Sequence, residues 1–354
     1  MKICIVSGGT GGHISPGISI YKELKKRENE VIFITNPHAL KFPLVTDWVK
    51  SDDIVVIPIS QGFSKKKPIS NLKVVKEFIQ STFISLKVLK SFQPDVVVLT
   101  GGYVSGPVGK AALLLGKKIV LLEQNSVMGL TNSILSMFAT RVILTFPLKN
   151  KRVSSKFIRL GNPIRYSEED IVIKDTAKSY FGFSSEDRVL GIILGSQGAK
   201  KVNEFLLNYI EAIAENYKII WITGNDYYQE ILEKCKCDNV KVFPFFSDIN
   251  MFMSAADVVI TRGGASTLSE IAFFGVPSII IPFPYAAKNH QYHNAMFFEI
   301  HGAGIIIEEK ELTIEKLLGT IEFVFKNYKI FKANVNQLFP KNILSEIVRV
   351  LESI

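Results

Sequence analysis

The chain has 354 residues, 47% hydrophobic and 21% charged, so it can bury the cores of two domains and carries no bias towards disorder or a repeat array. Its net charge of +9 favours phosphates or an anionic membrane, and because no nucleic-acid-binding motif accompanies it we expect no nucleic-acid partner. Three cysteines, and no apolar run of the roughly 18 residues that span a bilayer, predict a protein of the reducing cytosol without a signal peptide or transmembrane helix.

Apolar segments of strand length alternate with amphipathic segments of helix length, in two successive series. In the first series the predicted strands are 3–6, 31–35, 54–57, 96–100, 119–122 and 142–144, and the predicted helices are 14–27, 72–92, 107–115 and 130–138. In the second, the predicted strands are 189–194, 219–223, 240–243, 258–261 and 278–281, and the predicted helices are 199–215, 249–255, 267–274 and 291–301. Strands this apolar are typical of parallel sheets covered on both faces. The alternation therefore predicts an α/β protein with a doubly wound parallel sheet in each half.

The two series are separated near residues 146–162, where prolines, a glycine and a basic stretch interrupt the alternation. We expect an N-terminal domain over 1–160 and a C-terminal domain over 161–340. Residues 341–354 are expected to form a final amphipathic helix that packs back on the N-terminal domain.

One arrangement occurs in both halves: a strand runs into a glycine-rich loop that opens a helix. The loops are residues 8–13 (GGTGGH) and 262–267 (RGGAST). Backbone N–H groups at such helix N-termini attract phosphate or sugar oxygens. The first loop departs from the dinucleotide-binding pattern, since Ile14 stands at the third glycine position and the second strand lacks the expected acidic residue at its end. The repeated loop thus predicts two α/β domains with a nucleotide-type ligand between them.

Several side chains in these loops are candidates for chemistry. Ser266 or Thr267 is expected to cap the second helix and Glu270 to fall in its first turn, where a carboxylate can accept from both ribose hydroxyls or simply complement the helix dipole. His13 is either a general base, with an unperturbed pKa near neutrality, or a helix-entry histidine bonded to backbone. Glu123, at a strand end, is a second candidate base, or a residue that only orients neighbouring loops.

Seven motifs, in order along nearly the whole chain, resemble the MurG glycosyltransferases. They are GGTGGH with PG at 8–17, GGYVSGP at 101–107, EQN with GLTN at 123–132, GNPIR at 161–165, GSQGA at 195–199, SEI at 269–271 and Q-Y-x-N at 291–294. The resemblance implies the GT-B fold, two Rossmann-like domains facing a central cleft. It also implies inverting transfer of N-acetylglucosamine from UDP-GlcNAc to the C4 hydroxyl of the muramyl sugar of lipid I. The product, lipid II, serves peptidoglycan synthesis at the cytoplasmic face of the bacterial inner membrane.

The resemblance further implies which residues bind substrate, without a metal or cofactor. Diphosphate and ribose contacts are expected from Arg165, Ser196, Ala265, Ser266, Thr267, Leu268, Ser269 and Glu270. The backbone of Phe246 is expected to hold the uracil and Gln291 the GlcNAc hydroxyls. From the first domain, Thr10, Gly11, Gly12, Tyr103 and Asn125 are expected to contact the sugar and the acceptor. Three positions depart from the family pattern: Leu194 stands for a glycine, Leu122 for a histidine and His290 for a glutamine.

One side of the predicted helix 72–92 is basic. It carries Lys73, Lys76, Lys87 and Lys90, with Phe83 and Ile84 beside them and three lysines at 65–67 before the helix. Such a stripe is typical of a solvated face or of an anionic membrane surface, and a lipid-linked acceptor favours the membrane. Other cell-wall synthesis proteins are further candidate partners. The alternative functions are a GT-B transferase with another lipid-linked acceptor and a non-catalytic sensor of nucleotide sugars.

Overall fold

The computed structural model describes residues 1–62, 70–149, 154–195 and 199–354. The chain divides into unit 1, Met1–Arg165 with Asn342–Ile354, and unit 2, Tyr166–Lys341. The basic residues 65–67 and the loop residue Ser196 lie outside the described residues.

Unit 1 is built on a parallel sheet. Its strands are β1 (Lys2–Val6), β2 (Glu30–Thr35), β3 (Ile54–Val56), β4 (Val96–Leu99), β5 (Lys118–Glu123), β6 (Arg141–Leu144) and β7 (Phe157–Arg159), in the spatial order β3-β2-β1-β4-β5-β6-β7. The helices between them are α1 (Gly11–Lys26), α2 (Pro43–Trp48), α3 (Ser70–Phe92), α4 (Ser105–Leu114) and α5 (Leu130–Leu135). All four residues of β4 are buried, as expected for a strand covered on both faces.

Unit 2 repeats this plan. Its strands are β8 (Val189–Ile193), β9 (Lys218–Ile222), β10 (Val240–Phe243), β11 (Val258–Thr261), β12 (Ser278–Ile280) and β13 (Gly304–Ile306), all parallel, in the order β10-β9-β8-β11-β12-β13. Its helices are α6 (Lys174–Tyr180), α7 (Lys200–Ala214), α8 (Asn225–Lys234), α9 (Ile249–Ala255), α10 (Ala265–Phe274), α11 (His290–Ile300), α12 (Ile314–Lys326) and α13 (Tyr328–Val335). Trp221 of β9 is fully buried, and its indole N–H donates to the Asn203 side chain of α7 at 3.2 Å.

The last helix, α14 (Ile343–Glu352), belongs to unit 1 and packs against α1. Its buried face carries Ile343, Ile347, Val348 and Leu351. Arg27, which follows α1, donates to the Ser345 hydroxyl at 3.3 Å. The chain thus returns to its first unit through an amphipathic helix.

The prediction of a doubly wound parallel sheet in each half is confirmed. In both sheets the chain first winds outward in one direction and then crosses back, so a switch point lies between β1 and β4 in unit 1 and between β8 and β11 in unit 2. Ligands of such folds bind outside the carboxyl ends of the strands at the switch point. Both glycine-rich loops, 8–13 after β1 and 262–267 after β11, lie at these positions.

Candidate functional site

The first glycine-rich loop combines glycines that packing requires with one that it does not. Gly9 has φ +90°, and a Cβ at Gly8 would lie 2.7 Å from the Asn36 side-chain oxygen, so both positions are restricted to glycine. A Cβ at Gly11, in contrast, would meet no atom within 4 Å. Since Gly11 is exposed at the first position of α1, its backbone can be approached closely by a ligand.

His13, in the first turn of α1, packs its ring against the loop that follows β4. A Cβ at Gly101 would lie 3.1 Å from the ring, and Gly102 borders the opposite part of it. The imidazole Nδ1 is 3.0 Å from the Thr10 hydroxyl, and burial lowers the pKa of His13 to about 4. The imidazole is therefore uncharged at neutral pH, which leaves it able to accept a proton.

Glu123, the other candidate base, is buried within a set of donors at the end of β5. Its carboxylate accepts from the backbone N–H of Asn125 at 3.1 Å and of Gly129 at 3.2 Å, and from the Asn132 side chain at 3.0 Å. Burial raises its pKa although these donors favour the charged form. This geometry favours the second interpretation of Glu123, a residue that orients the loop carrying Asn125.

Tyr103, in the loop after β4, is joined to the first glycine-rich loop through a residue that sequence analysis did not select. Asn36, directly after β2, accepts from the Gly9 backbone N–H at 3.3 Å and donates to the Tyr103 hydroxyl at 3.1 Å. The one sequence signal for Asn36 is its position directly after β2, where a dinucleotide-binding protein carries an acidic residue.

Unit 2 contains a cavity of about 490 Å³ at the carboxyl ends of its strands. It is lined by Leu194, Gly195, Ala199, Lys200, Lys201, Arg262, Gly264, Thr267, Phe283, Tyr285, Gln291 and Glu309. Three cations and the N-terminus of α10 at Gly264 therefore border the cavity, as an anionic ligand requires. None of these cations, Lys200, Lys201 and Arg262, is among the predicted site residues.

Arg262, one of these cations, is held in place by neighbouring loops. Its guanidinium is buried and donates to the Glu309 carboxylate at 2.8 Å and to the Ile281 carbonyl at 3.0 Å. The pair thus ties the loop after β11 to the loops after β12 and β13. Burial lowers the pKa of Arg262, while Glu309 counteracts this effect.

The second glycine-rich loop is held by α11. A Cβ at Gly263 would lie 2.2 Å from the Gln291 carbonyl oxygen, and the Asn294 side chain donates to the Gly263 carbonyl at 3.1 Å. The Gln291 side-chain oxygen accepts from the Phe283 backbone N–H at 3.0 Å. Gln291 therefore borders the cavity with its side-chain oxygen already engaged by the loop after β12.

The capping prediction for the second loop is wrong. The helix α10 begins at Ala265, two residues before the predicted start, with Gly264 as N-cap and no side-chain cap from Ser266 or Thr267. Glu270 consequently lies in the second turn, half-buried, and not in the first. A glycine N-cap leaves the first N–H groups of the helix to a ligand.

Only some side chains of the predicted segment 265–270 are available to a ligand. Leu268 is fully buried, and the buried Ser269 hydroxyl donates to the Ala265 carbonyl at 2.7 Å. Their side chains are therefore turned into the core, so only their backbone is suited to ligand contact. Thr267, in contrast, lines the cavity.

The loop after β10 is held by a cluster of aromatic rings in edge-to-face and tilted contacts. Phe246 is buried against Tyr180, Phe181 and Phe243, with ring centroids 6.3, 5.5 and 4.9 Å away. Its side chain thus serves packing, and uracil binding by the Phe246 backbone stays a prediction.

The remaining predicted positions lie in unit 1 and at its end. Gly12, Asn125 and Arg165 are all half-buried, and Arg165 is the last residue of the unit's first segment. Among the described residues, no cluster of three His, Cys, Asp or Glu side chains has the arrangement of a metal site. In the same part of the chain, no helix combines the length and the apolar character that crossing a membrane demands.

The predicted basic helix exposes apolar as well as charged side chains. Leu72, Ile79 and Phe83 of α3 are 76%, 50% and 62% exposed. At about 100° per residue they lie within an arc of about 80° together with three of the predicted lysines. All four, Lys73, Lys76, Lys87 and Lys90, are exposed. The face therefore differs from an ordinary solvated one, which is polar throughout.

Comparison with known proteins places both units in one family. Residues 3–144 match the glycosyltransferase family 28 N-terminal domain, and residues 189–346 match its C-terminal domain. The chain is 35% identical, over the full length of both proteins, to a Thermoanaerobacter protein named UDP-N-acetylglucosamine–N-acetylmuramyl-(pentapeptide) pyrophosphoryl-undecaprenol N-acetylglucosamine transferase. It is 34% identical to the Bacillus subtilis protein of the same name, covering 94% of this chain and 93% of the relative.

A solved structure agrees with this assignment. The crystal structure of Acinetobacter baumannii MurG matches with a TM-score of 0.77 at 25% identity, over 100% of this chain and 99% of that one. The fold is therefore GT-B, as predicted from the seven motifs.

Proposed function

We infer the reaction from the family: the chain belongs to the MurG glycosyltransferases, and it transfers N-acetylglucosamine from UDP-GlcNAc to the muramyl sugar of lipid I, giving lipid II. The observation that carries this conclusion is identity of about a third along the whole chain, with a glycine-rich loop at the switch point of each sheet.

The donor is proposed to bind in the cavity of unit 2. The diphosphate is held by the N-terminus of α10 at Gly264 and by the cations Lys200 and Lys201. Arg262 serves differently, since its guanidinium is engaged by Glu309 and by carbonyls of the neighbouring loop, and it therefore shapes the cavity wall. Glu270 is proposed to accept from the ribose hydroxyls from its place in the second turn.

The acceptor is proposed to bind at the loops of unit 1. In the reaction the bond between the anomeric carbon and the UDP oxygen breaks, and a bond to the C4 oxygen of the muramyl sugar forms on the opposite face. The proton of that hydroxyl passes to His13. We assign the tautomer in which Nδ1–H donates to the Thr10 hydroxyl, because this leaves the lone pair of Nε2 for the proton.

Two features favour this assignment over Glu123. The His13 imidazole is uncharged at neutral pH, and Thr10 is its single hydrogen-bond partner through a ring nitrogen in the described part of the chain. The Glu123 carboxylate, in contrast, already accepts hydrogen bonds from Asn125 and Gly129 of its own loop and from Asn132 of α5. If Glu123 took up the proton instead, the hydrogen bonds that order its loop would be weakened.

Peripheral binding to the cytoplasmic face of an anionic membrane is proposed through α3. Exposed Leu72, Ile79 and Phe83 can enter the interfacial region while the neighbouring lysines contact lipid phosphates. A lipid-linked acceptor gives this surface a purpose, because its sugar stays close to the headgroups.

The deciding experiment is a transfer assay with purified protein, UDP-GlcNAc and a soluble lipid I analogue. We expect a disaccharide product and stoichiometric UDP. UDP-glucose is the donor control, and a glycolipid acceptor without the muramyl sugar is the acceptor control. Binding of UDP-GlcNAc without any turnover would favour the nucleotide-sugar sensor, and transfer only to the second acceptor would favour the other transferase.

A further inference from the structure

Asn36 joins three loops at the carboxyl edge of the unit 1 sheet. It follows β2, is fully buried, and reaches both the loop after β1, at Gly9, and the loop after β4, at Tyr103. Neither the family motifs nor the expected substrate contacts include it. A buried polar side chain that bridges two loops of a candidate site requires a physical explanation, since burial of an amide costs free energy unless both of its ends are bonded.

The orientation of the Asn36 amide is determined by its partners. A backbone N–H can only donate, so the group 3.3 Å from the Gly9 nitrogen must be the side-chain oxygen. The amide nitrogen therefore faces the Tyr103 hydroxyl, 3.1 Å away, and donates to it. The hydroxyl oxygen accepts this bond, so the phenol proton must point elsewhere.

The Tyr103 ring is also fixed in position, by packing against two glycines. A Cβ at Gly9 would lie 3.2 Å from the ring, and one at Gly62 would lie 3.4 Å from the Tyr103 side chain, so glycines on both sides leave room for it. Within the described residues, Asn36 is the one hydrogen-bond partner of the hydroxyl. Tyr103 is half-buried at the loop surface, so its proton can be donated to a ligand.

We propose that Asn36 is a positioning residue, which fixes the Tyr103 hydroxyl as a hydrogen-bond donor to an oxygen of the acceptor sugar. The proposal rests on the proposed function only in the identity of the acceptor. Asn36 touches no substrate and acts through Tyr103, while its bond to Gly9 keeps the glycine-rich loop in register with that hydroxyl.

The isosteric variant Asn36→Asp separates this role from packing. A carboxylate still accepts from Gly9, but it cannot donate to Tyr103, so the phenol proton turns towards residue 36 and is lost to the acceptor. We expect kcat/KM for the lipid I analogue to fall about tenfold, as loss of one hydrogen bond implies. Affinity for UDP, which binds unit 2, is expected to stay unchanged.

A purely structural role of Asn36 is distinguished by a double-mutant comparison, which measures whether the effect of Asn36→Asp on kcat/KM depends on the Tyr103 hydroxyl. In a Tyr103→Phe background, Asn36→Asp is expected to change kcat/KM less than about twofold, because the hydroxyl it controls is gone. Asn29→Asp, at the amino-terminal edge of the same sheet beside Met1, is the matched control and is expected to match wild type. If Asn36→Asp does not fold, Asn36→Ala is compared in the same two backgrounds.

Additive losses in the two backgrounds, no loss, or an equal loss of UDP affinity would overturn the proposal. So would failure of both Asn36 variants to fold, since Asn36 would then be structural. Affinity for the acceptor analogue, measured by calorimetry, provides a readout without turnover. If the wild-type chain binds the acceptor analogue but is inactive, the proposed function is contradicted, and the effect of the Asn36 variants on acceptor affinity still tests the proposal. If the wild-type chain binds no acceptor, both the proposed function and the proposal are overturned.

Discussion

His13 offers the sharpest test of the chemistry, because its environment shifts a measurable quantity. An unperturbed histidine has a pKa near 6.5, and burial brings that of His13 to about 4. The difference of about 2.5 units corresponds to about 3 kcal/mol in favour of the neutral imidazole. If His13 is the base, the acid limb of kcat/KM for the free enzyme should lie near pH 4 and not near 6.5.

The same shift predicts how stability depends on pH. Between about pH 4 and 6.5 the unfolded chain binds a proton at His13 that the folded protein excludes, so the free energy of unfolding rises with pH across this window. The contribution is fully present above about pH 6.5, and about 3 kcal/mol of it is lost as pH falls to 4. Thermal unfolding followed by circular dichroism from pH 4 to 8 measures it.

The perturbation is His13→Gln, whose amide can keep a hydrogen bond to Thr10 but cannot accept the proton. We expect kcat to fall about 10²–10⁴-fold, UDP affinity to stay near that of wild type, and the His13 part of the pH-dependent stability to vanish. His38→Gln, at an exposed histidine after β2, is the control and should leave all three unchanged. An acid limb that persists in His13→Gln, together with an inactive Glu123→Gln, would refute the assignment.

The other predictions concern unit 2 and the membrane. Glu270→Ala should weaken UDP-GlcNAc binding by about 1.5–3 kcal/mol in calorimetry if the carboxylate holds the ribose, and unchanged affinity would mean that it only supports the helix. Glu309→Ala should destabilise the protein by about 3–5 kcal/mol because it leaves Arg262 buried without its counter-charge, whereas Glu308→Ala at an exposed pair should cost at most about 1 kcal/mol. Activity should persist in excess EDTA, since helix N–H groups and cations can hold the diphosphate; abolition with rescue by magnesium or manganese would contradict this. Binding to anionic vesicles should weaken in high salt and on replacing Lys73, Lys76, Lys87 and Lys90 with Gln, but not on the same change at the exposed unit 2 residues Lys234, Lys236, Lys316 and Lys326.

Four of the differences between the predicted and the observed elements have local causes. β7 and β13 have only three residues each, and the first ends in Arg159 while the second begins at Gly304, so their apolar runs are too short to be recognised. The helix α8 is missed because it is polar along most of its length and buries a single residue, Ile231. The start of α10 was placed two residues late because serine and threonine are stronger capping signals than the glycine that serves there.

The residues of the candidate site also fall into two groups, those that a local sequence pattern identifies and those that only long-range contacts bring together. The glycine loops were found because two short patterns next to strong strands are local features of the sequence. Arg262 and Glu309 are 47 residues apart, and Asn36 and Tyr103 are 67 apart, so neither pair could be recognised from spacing. The charge of His13 also depends on Gly101 and Gly102, far along the chain, which border its ring.

The sequence by itself determined the class of this protein: buried parallel strands, two glycine-rich loops after them, and the motifs of a glycosyltransferase. Hydrophobic periodicity and loop chemistry are local, so they are readable before folding. Only the tertiary structure decided that donors from its own loop and from α5 occupy the Glu123 carboxylate, and that the half-buried His13 ring packs against the loop after β4 with its pKa lowered. Desolvation and hydrogen-bond saturation depend on residues that folding brings together, and for that reason the roles proposed for the two candidate bases rest on the packing around them and not on their motifs.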